Sequence, residues 1–158
     1  LRKYDLNINL ENKVFMTEIM RKYFDDPAEN KLHNGADVYK IMEVEQALSI
    51  KFPQDYVEFL LFTNGYEGKL GQSYSVFTPV EQIISNTKNY REHFPWIVFI
   101  GTDGGGEMYV IDKREEPLKF GILPYIGSES DFIFLGHTFE HFIEQLYTND
   151  FWDNRKNS

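Results

Sequence analysis

Three stretches of this sequence hold residue types at spacings that chemistry can use. The first is Gly101-Thr102-Asp103-Gly104-Gly105-Gly106. A glycine-rich loop cradles phosphate when a strand leads through it into a helix whose first amides face the anion. Here the glycines lead into Glu107-Met108-Tyr109-Val110-Ile111-Asp112, a strand pattern, with no Lys-Ser/Thr pair and with acids on either side. The pattern predicts a hairpin whose glycines supply positive φ, and it argues against a nucleotide site. The second stretch is His137-Thr138-Phe139-Glu140-His141, an H-x-x-E-H arrangement used by some zinc peptidases. That chemistry needs both histidines on one helical face and a further ligand downstream. Thr138 is the better helix cap, which leaves His137 in the preceding loop, and only Glu144, Asp150 and Asp153 follow. Asp103, Glu107 and Asp112 form the third set, but the calcium-loop spacing is missing, and acids alternating along a strand point to solvent. No metal, no cofactor and no catalytic residue is expected. The alternative is an acidic or metal-assisted hydrolase site around Asp103, Glu107 and His137.

The elements that must position these residues follow from periodicity. Met16, Ile19, Met20, Tyr23 and Phe24 recur at helical spacing and predict a helix over residues 13–24. A polar stretch ends in the turn pair Asn34-Gly35. A second helix carries Val38, Ile41, Val44 and Leu48. A third opens at Pro53, carries Tyr56, Val57, Phe59, Leu60 and Leu61, and stops at Asn64-Gly65. In the fourth, Thr78 reads as the N-cap, with Pro79 in the first turn and Glu81 three residues after the cap.

Beyond Pro95 the period changes. Residues 96–100, 107–112, 118–123 and 131–135 are short runs rich in Ile, Val, Phe and Tyr, separated by turns too short for crossover helices, so antiparallel pairing is predicted. A last helix from Thr138 places Phe139, Phe142, Ile143, Leu146 and Tyr147 on one face. The tail is polar apart from Phe151 and Trp152 and is expected to fray. The sum is a single α+β domain of four or five helices, its mainly antiparallel sheet drawn from residues 96–135.

Composition limits the partners. A chain of 158 residues with 42% hydrophobic and 16% aromatic content has ample core material, which excludes a disordered class. Cysteine is absent, so disulfides and thiolate sites drop out and a reducing, cytoplasmic setting is expected. The formal net charge is −9, with 14 acidic and 11 basic residues over 1–100 but 11 and 5 over 101–158. Such a balance offers no basic stripe for nucleic acid, and it favours encounter with a basic partner. No apolar run approaches the ~20 residues of a membrane span, and none follows the charged start at residues 1–5, so no membrane or export segment is expected.

Three segments resemble the SUKH superfamily, whose members include relatives of a yeast cell-wall synthesis regulator. Glu45, Leu48, Phe52-Pro53, Asp55-Tyr56, Phe59-Leu60 and Asn64-Gly65 are similar to its E-x-x-L, L-P-x-D-Y-x-x-F-L and N-G signature. Phe52 stands where the family usually has Leu, a volume change that a core can absorb. Ile100 to Gly106 followed by Tyr109 to Asp112 resembles its glycine hairpin, and residues 138–146 resemble its closing helix.

The resemblance implies a SUKH-like domain over residues 38–147; periodicity adds a helical extension of the same domain before it (1–37), which the resemblance does not cover, and composition a polar tail after it (148–158). The resemblance also implies an α+β fold and, for bacterial members, an immunity protein that binds and neutralises a cognate polymorphic toxin, often a nuclease, without chemistry of its own. A regulatory scaffold like the eukaryotic relatives is the weaker alternative. Motif residues such as Leu48, Pro53, Tyr56, Phe59, Leu60 and Trp96 are expected in the core or in caps. Loop acids and aromatics are the candidate partner contacts: Tyr66, Glu67, Asp103, Glu107, Glu129 and Asp131.

Overall fold

The computed structural model describes residues 10–24 and 31–156. The first nine residues, the polar stretch at 25–30 and the last two of the tail lie outside the described residues. In chain order the elements are α1 (Leu10–Tyr23), β1 (Lys31–Leu32), α2 (Val38–Leu48), α3 (Gln54–Phe62), β2 (Tyr66–Leu70), β3 (Ser73–Phe77), α4 (Val80–Lys88), β4 (Ile97–Thr102), β5 (Glu107–Asp112), β6 (Lys119–Pro124), a 3-10 turn (Glu129–Asp131), β7 (Ile133–Gly136), α5 (Phe139–Thr148) and the single turn α6 (Asp153–Lys156).

The seven strands lie in one sheet in their sequence order, every pair antiparallel. The α+β class holds. The sheet is wider than residues 96–135, because β2 and β3 form a hairpin within residues 66–77. Strand β2 buries only its ends, Tyr66 and Leu70, around a polar middle, so it carries no apolar alternation to betray it.

Period-two alternation in the central strands feeds two cores. Val98, Ile100, Tyr109, Ile111, Phe120 and Ile122 face α1, α2, α3 and α5 in the main core. Ile97, Phe99, Met108, Val110 and Leu123 face the other way, where Phe94 and Trp96 from the segment after α4 cover them. With both faces buried, the central strands read as near-continuous apolar runs. Gly101 is where β3 crosses closest to β4: a Cβ there would lie 2.3 Å from the Val76 carbonyl oxygen and 3.0 Å from the Tyr109 ring. Gly104, at φ 77°, supplies the left-handed residue of the glycine hairpin.

The start of α4 differs from its sequence signature. Thr78 is buried, and its amide donates to the Ile100 carbonyl, so Pro79 occupies the cap position without a side-chain acceptor. Asn64, from the turn after α3, does the capping from outside the helix. Its Oδ1 accepts from the Val80 amide at 2.8 Å, and its Nδ2 donates to Glu81 at 2.7 Å. The free amides of a first turn take any acceptor that reaches them, including one 16 residues away.

Candidate functional site

Polar residues of the three signature segments fasten helix and strand ends, some within a turn and some across the fold. Glu45 on α2 accepts the Phe52 amide at 2.7 Å, holding the entry to α3. Asp55 in the first turn of α3 accepts the amides of Phe139 and Glu140 at 3.1 and 2.9 Å, so it caps α5 from across the core. Thr138, as expected, caps the same helix through the His141 amide. Burial pushes the Asp55 carboxyl up, and the amides of Glu140 and Phe139 oppose that rise. Replacing Asp55 with Ala strands two amides at a helix start, an expected loss of about 2 kcal/mol. Asp55→Asn keeps an acceptor and should lose less than half of that in urea unfolding.

Asp112 ends β5 and is buried. Arg114 donates to it through its amide and Nε, both at 3.0 Å, and through a terminal nitrogen at 2.8 Å. The same guanidinium lies 4.0 Å from the centre of the Trp96 ring and also meets Glu129. Burial raises the Asp112 carboxyl, but the hydrogen bonds and charge of Arg114 outweigh it and hold the group below its ordinary 3.8. A depressed carboxylate stabilises the fold above its unfolded value and loses that contribution as pH falls through the folded one. The stability gap between the parent and Asp112→Asn should therefore narrow as pH drops below 3.8, read by urea titration at several pH values.

The candidate contacts divide. Tyr66 is a core residue, 1% exposed, whose hydroxyl donates to the Lys69 carbonyl at 2.5 Å. Its place after a turn suggested exposure, but strand alternation turns it inward. Glu67, the next residue, is exposed and accepts from the Tyr74 hydroxyl across the β2–β3 pair. Asp103 organises the glycine hairpin: Oδ1 accepts the amides of Gly105 at 2.8 Å and Glu107 at 3.2 Å. Asp131 accepts the Ser128 amide at 2.8 Å and stabilises the 3-10 turn. Glu129 pairs with Arg114 beside Trp96.

Glu107 opens β5 and binds Arg155 through both oxygens, at 2.6 and 3.3 Å. The Nε of Arg155 donates to the Asp131 carbonyl at 3.0 Å. Asp103, Glu107 and Asp131 are thus gathered at one end of the sheet, with Glu67 joined to them through Tyr74. A cavity of about 240 Å³ opens there, lined by Tyr74, Asp103, Glu107, Tyr109, Asn149 and Trp152 among others. A larger groove of about 720 Å³ lies between α2 and the β5–β6 connection, lined by both acids (Glu43, Glu45, Glu116) and lysines (Lys51, Lys113).

The expected fraying of the tail is corrected in its described part. Phe151 is buried, and the Trp152 indole donates to Asn149 at 2.8 Å, so both residues are docked where they line the cavity. Tyr74, Trp152 and Arg155 were not among the sequence candidates. For Trp152 and Arg155 the signal available in the sequence was the pair Phe151-Trp152 in an otherwise polar tail, apolar area that folding would bury; for Tyr74 there was none.

His137 does not join Asp103 and Glu107. Its Nδ1 lies 3.0 Å from the Leu118 carbonyl oxygen, just before β6, whereas Glu107 pairs with Pro124 at the strand's other end. Strand rise puts the two on the order of 20 Å apart. The hydrolase site drawn around those three residues is therefore not assembled. Among the described residues, no group of three or more His, Asp or Glu is placed to hold a metal ion. Among them, too, no helix is long and apolar enough to cross a membrane.

An antiparallel meander with helices on its main core face and a glycine hairpin at one end defines the α+β domain that the signature segments imply. The chain belongs to the SMI1 / KNR4 family (SUKH-1), whose family model matches residues 35–145. It is also 32% identical over 131 residues to the uncharacterized protein YnaB of Bacillus subtilis (strain 168), an alignment covering 78% of this chain and 79% of that protein.

Proposed function

We propose that this chain is a non-catalytic binding module, a cytoplasmic immunity protein that captures and neutralises a basic protein toxin. Family membership over residues 35–145 is the observation that carries the reading. The charge distribution supports it, since Glu67, Asp103, Glu107 and Asp131 converge at one end of an acidic domain, where a basic surface would be drawn. The signature residues Glu45, Asp55 and Asp112 are engaged in internal bonds, which leaves recognition to the surface around the hairpin. The test is co-expression with any toxin domain that the genes adjoining this chain's own prove to encode. A stoichiometric complex and relief of toxicity are expected. Undiminished toxicity with no co-purification would overturn the reading.

A further inference from the structure

We propose that the cavity between the glycine hairpin and the C-terminal segment is a receptor for one guanidinium group, an arginine side chain of the basic partner. Arg155 is its internal stand-in. This deepens the protein-binding reading and rests on it.

The chain itself displays the recognition chemistry. Arg155 meets Glu107 fork to fork, at 2.6 and 3.3 Å, and its Nε is taken by the Asp131 carbonyl at 3.0 Å. Its guanidinium carbon lies 5.6 Å from the centre of the Trp152 ring. A planar fork on a carboxylate beside an aromatic face is the geometry that separates arginine from lysine. The adjoining cavity brings together residues of the same chemistry: Asp103, Glu107, Tyr74, Trp152 and Asn149 line it. Asp103 spends Oδ1 on two hairpin amides. Among the described residues no protein donor reaches its Oδ2, which is left to accept one N–H of an entering guanidinium while Glu107 supplies the fork.

Size and cost fit the same occupant. At about 240 Å³ the cavity is below the ~300 Å³ at which drug-sized ligand sites begin, and it suits a single side chain. Arg155 rides on α6, a helix of four residues that is too short to be stable alone. Its release from Glu107 would break the ion pair, the Nε bond to the Asp131 carbonyl and the Trp152 contact, none of which so short a helix reinforces. A partner arginine entering beside Asp103 competes with Arg155 for Glu107, and the C-terminal segment sets how tightly the site is held before the partner arrives.

The test is a titration of the 15N-labelled full chain with N-acetyl-arginine N-methylamide, using the lysine and glutamine analogues as controls. Saturable shifts are expected at the Gly104 to Glu107 amides and the Trp152 indole, for the arginine probe alone. Arg155→Ala should bind that probe about ten-fold more tightly, and adding Glu107→Gln should cancel the gain. If Arg155→Ala loses its dispersed spectrum, Arg155→Gln and the parent titration carry the same comparison. The proposal is overturned if no probe saturates these signals, if the lysine or glutamine analogue does so equally, or if removing Arg155 leaves the affinity unchanged. A chain that neutralises its toxin but shows no arginine site sinks the cavity assignment alone. A chain that binds the probe but not the toxin sinks the immunity reading instead.

Discussion

Association with the basic partner is expected to slow about ten-fold or more as salt rises from about 0.01 M to about 0.15 M, because the Debye length shortens from ~30 to ~8 Å. The long-range part of the encounter is carried by a chain of formal charge −9 whose acids converge around the hairpin. Contacts desolvated at the centre of the interface govern dissociation, so the off-rate should change far less over the same range. The matching variant replaces Asp103, Glu107, Glu129 and Asp131 with Asn or Gln. Three of these are bound into the fold more firmly than loop positions suggest, since Asp103 and Asp131 accept amides and Glu107 holds Arg155. The amide side chains keep an acceptor oxygen for the two turns. The lost pair from Glu129 to Arg114 is exposed and contributes at most about 1 kcal/mol, and the mostly buried pair from Glu107 to Arg155 about 1.5–3 kcal/mol. The variant should therefore stay folded while its on-rate at low salt drops about ten-fold and its salt dependence flattens. Stopped-flow association as rapid as the parent's across this range would mean that the acidic end is not the recognition surface.

Phe139→Ala should be the most damaging single truncation in the core, costing about 3–5 kcal/mol. Phe139 is 1% exposed and begins α5, the helix that Asp55 and Thr138 cap. Its ring meets those of Phe59 at 4.7 Å, Tyr56 at 5.2 Å, Phe77 at 5.6 Å and Phe120 at 5.9 Å between centroids. These neighbours come from α3, β3 and β6, so the cavity left behind is walled by three elements that cannot collapse into it together. Against a typical total of about 5–15 kcal/mol, a loss of that size leaves a marginal domain. Urea unfolding should show a lower midpoint at an unchanged slope. A loss under about 1 kcal/mol would show that the ring cluster can repack.

Much of this architecture is legible before any coordinates. The stripes of α1, α2 and α5 record which faces are buried, because burial of apolar area at fixed period is a local constraint. The short apolar runs from residue 96 onward give β4 to β7 and their antiparallel sense, since their connections are too short for crossovers. The β2–β3 hairpin was not legible, because its middle is polar and its burial depends on neighbours distant in sequence. The cap on α4 was misplaced for a related reason: a local acceptor, Thr78, is visible in sequence, while Asn64 competes only once α3 and α4 have docked.

The candidate site shows the same division. Acid types and their surplus after residue 100 are properties of the chain alone, because charge needs no fold to be counted. Which acids are available is decided in three dimensions. Alternation carried Tyr66 into the core, hairpin geometry engaged one oxygen of Asp103, and docking of Phe151 brought Arg155 onto Glu107. The separation of His137 from Glu107 along β6 is likewise a matter of register. Sequence by itself determined the class of fold, the sign of the surface and the hairpin that organises it. Tertiary structure alone decided which carboxylates share a cavity, because hydrogen bonds and ion pairs act over a few ångströms and the chain must first fold to bring residues 103, 107 and 155 within that reach.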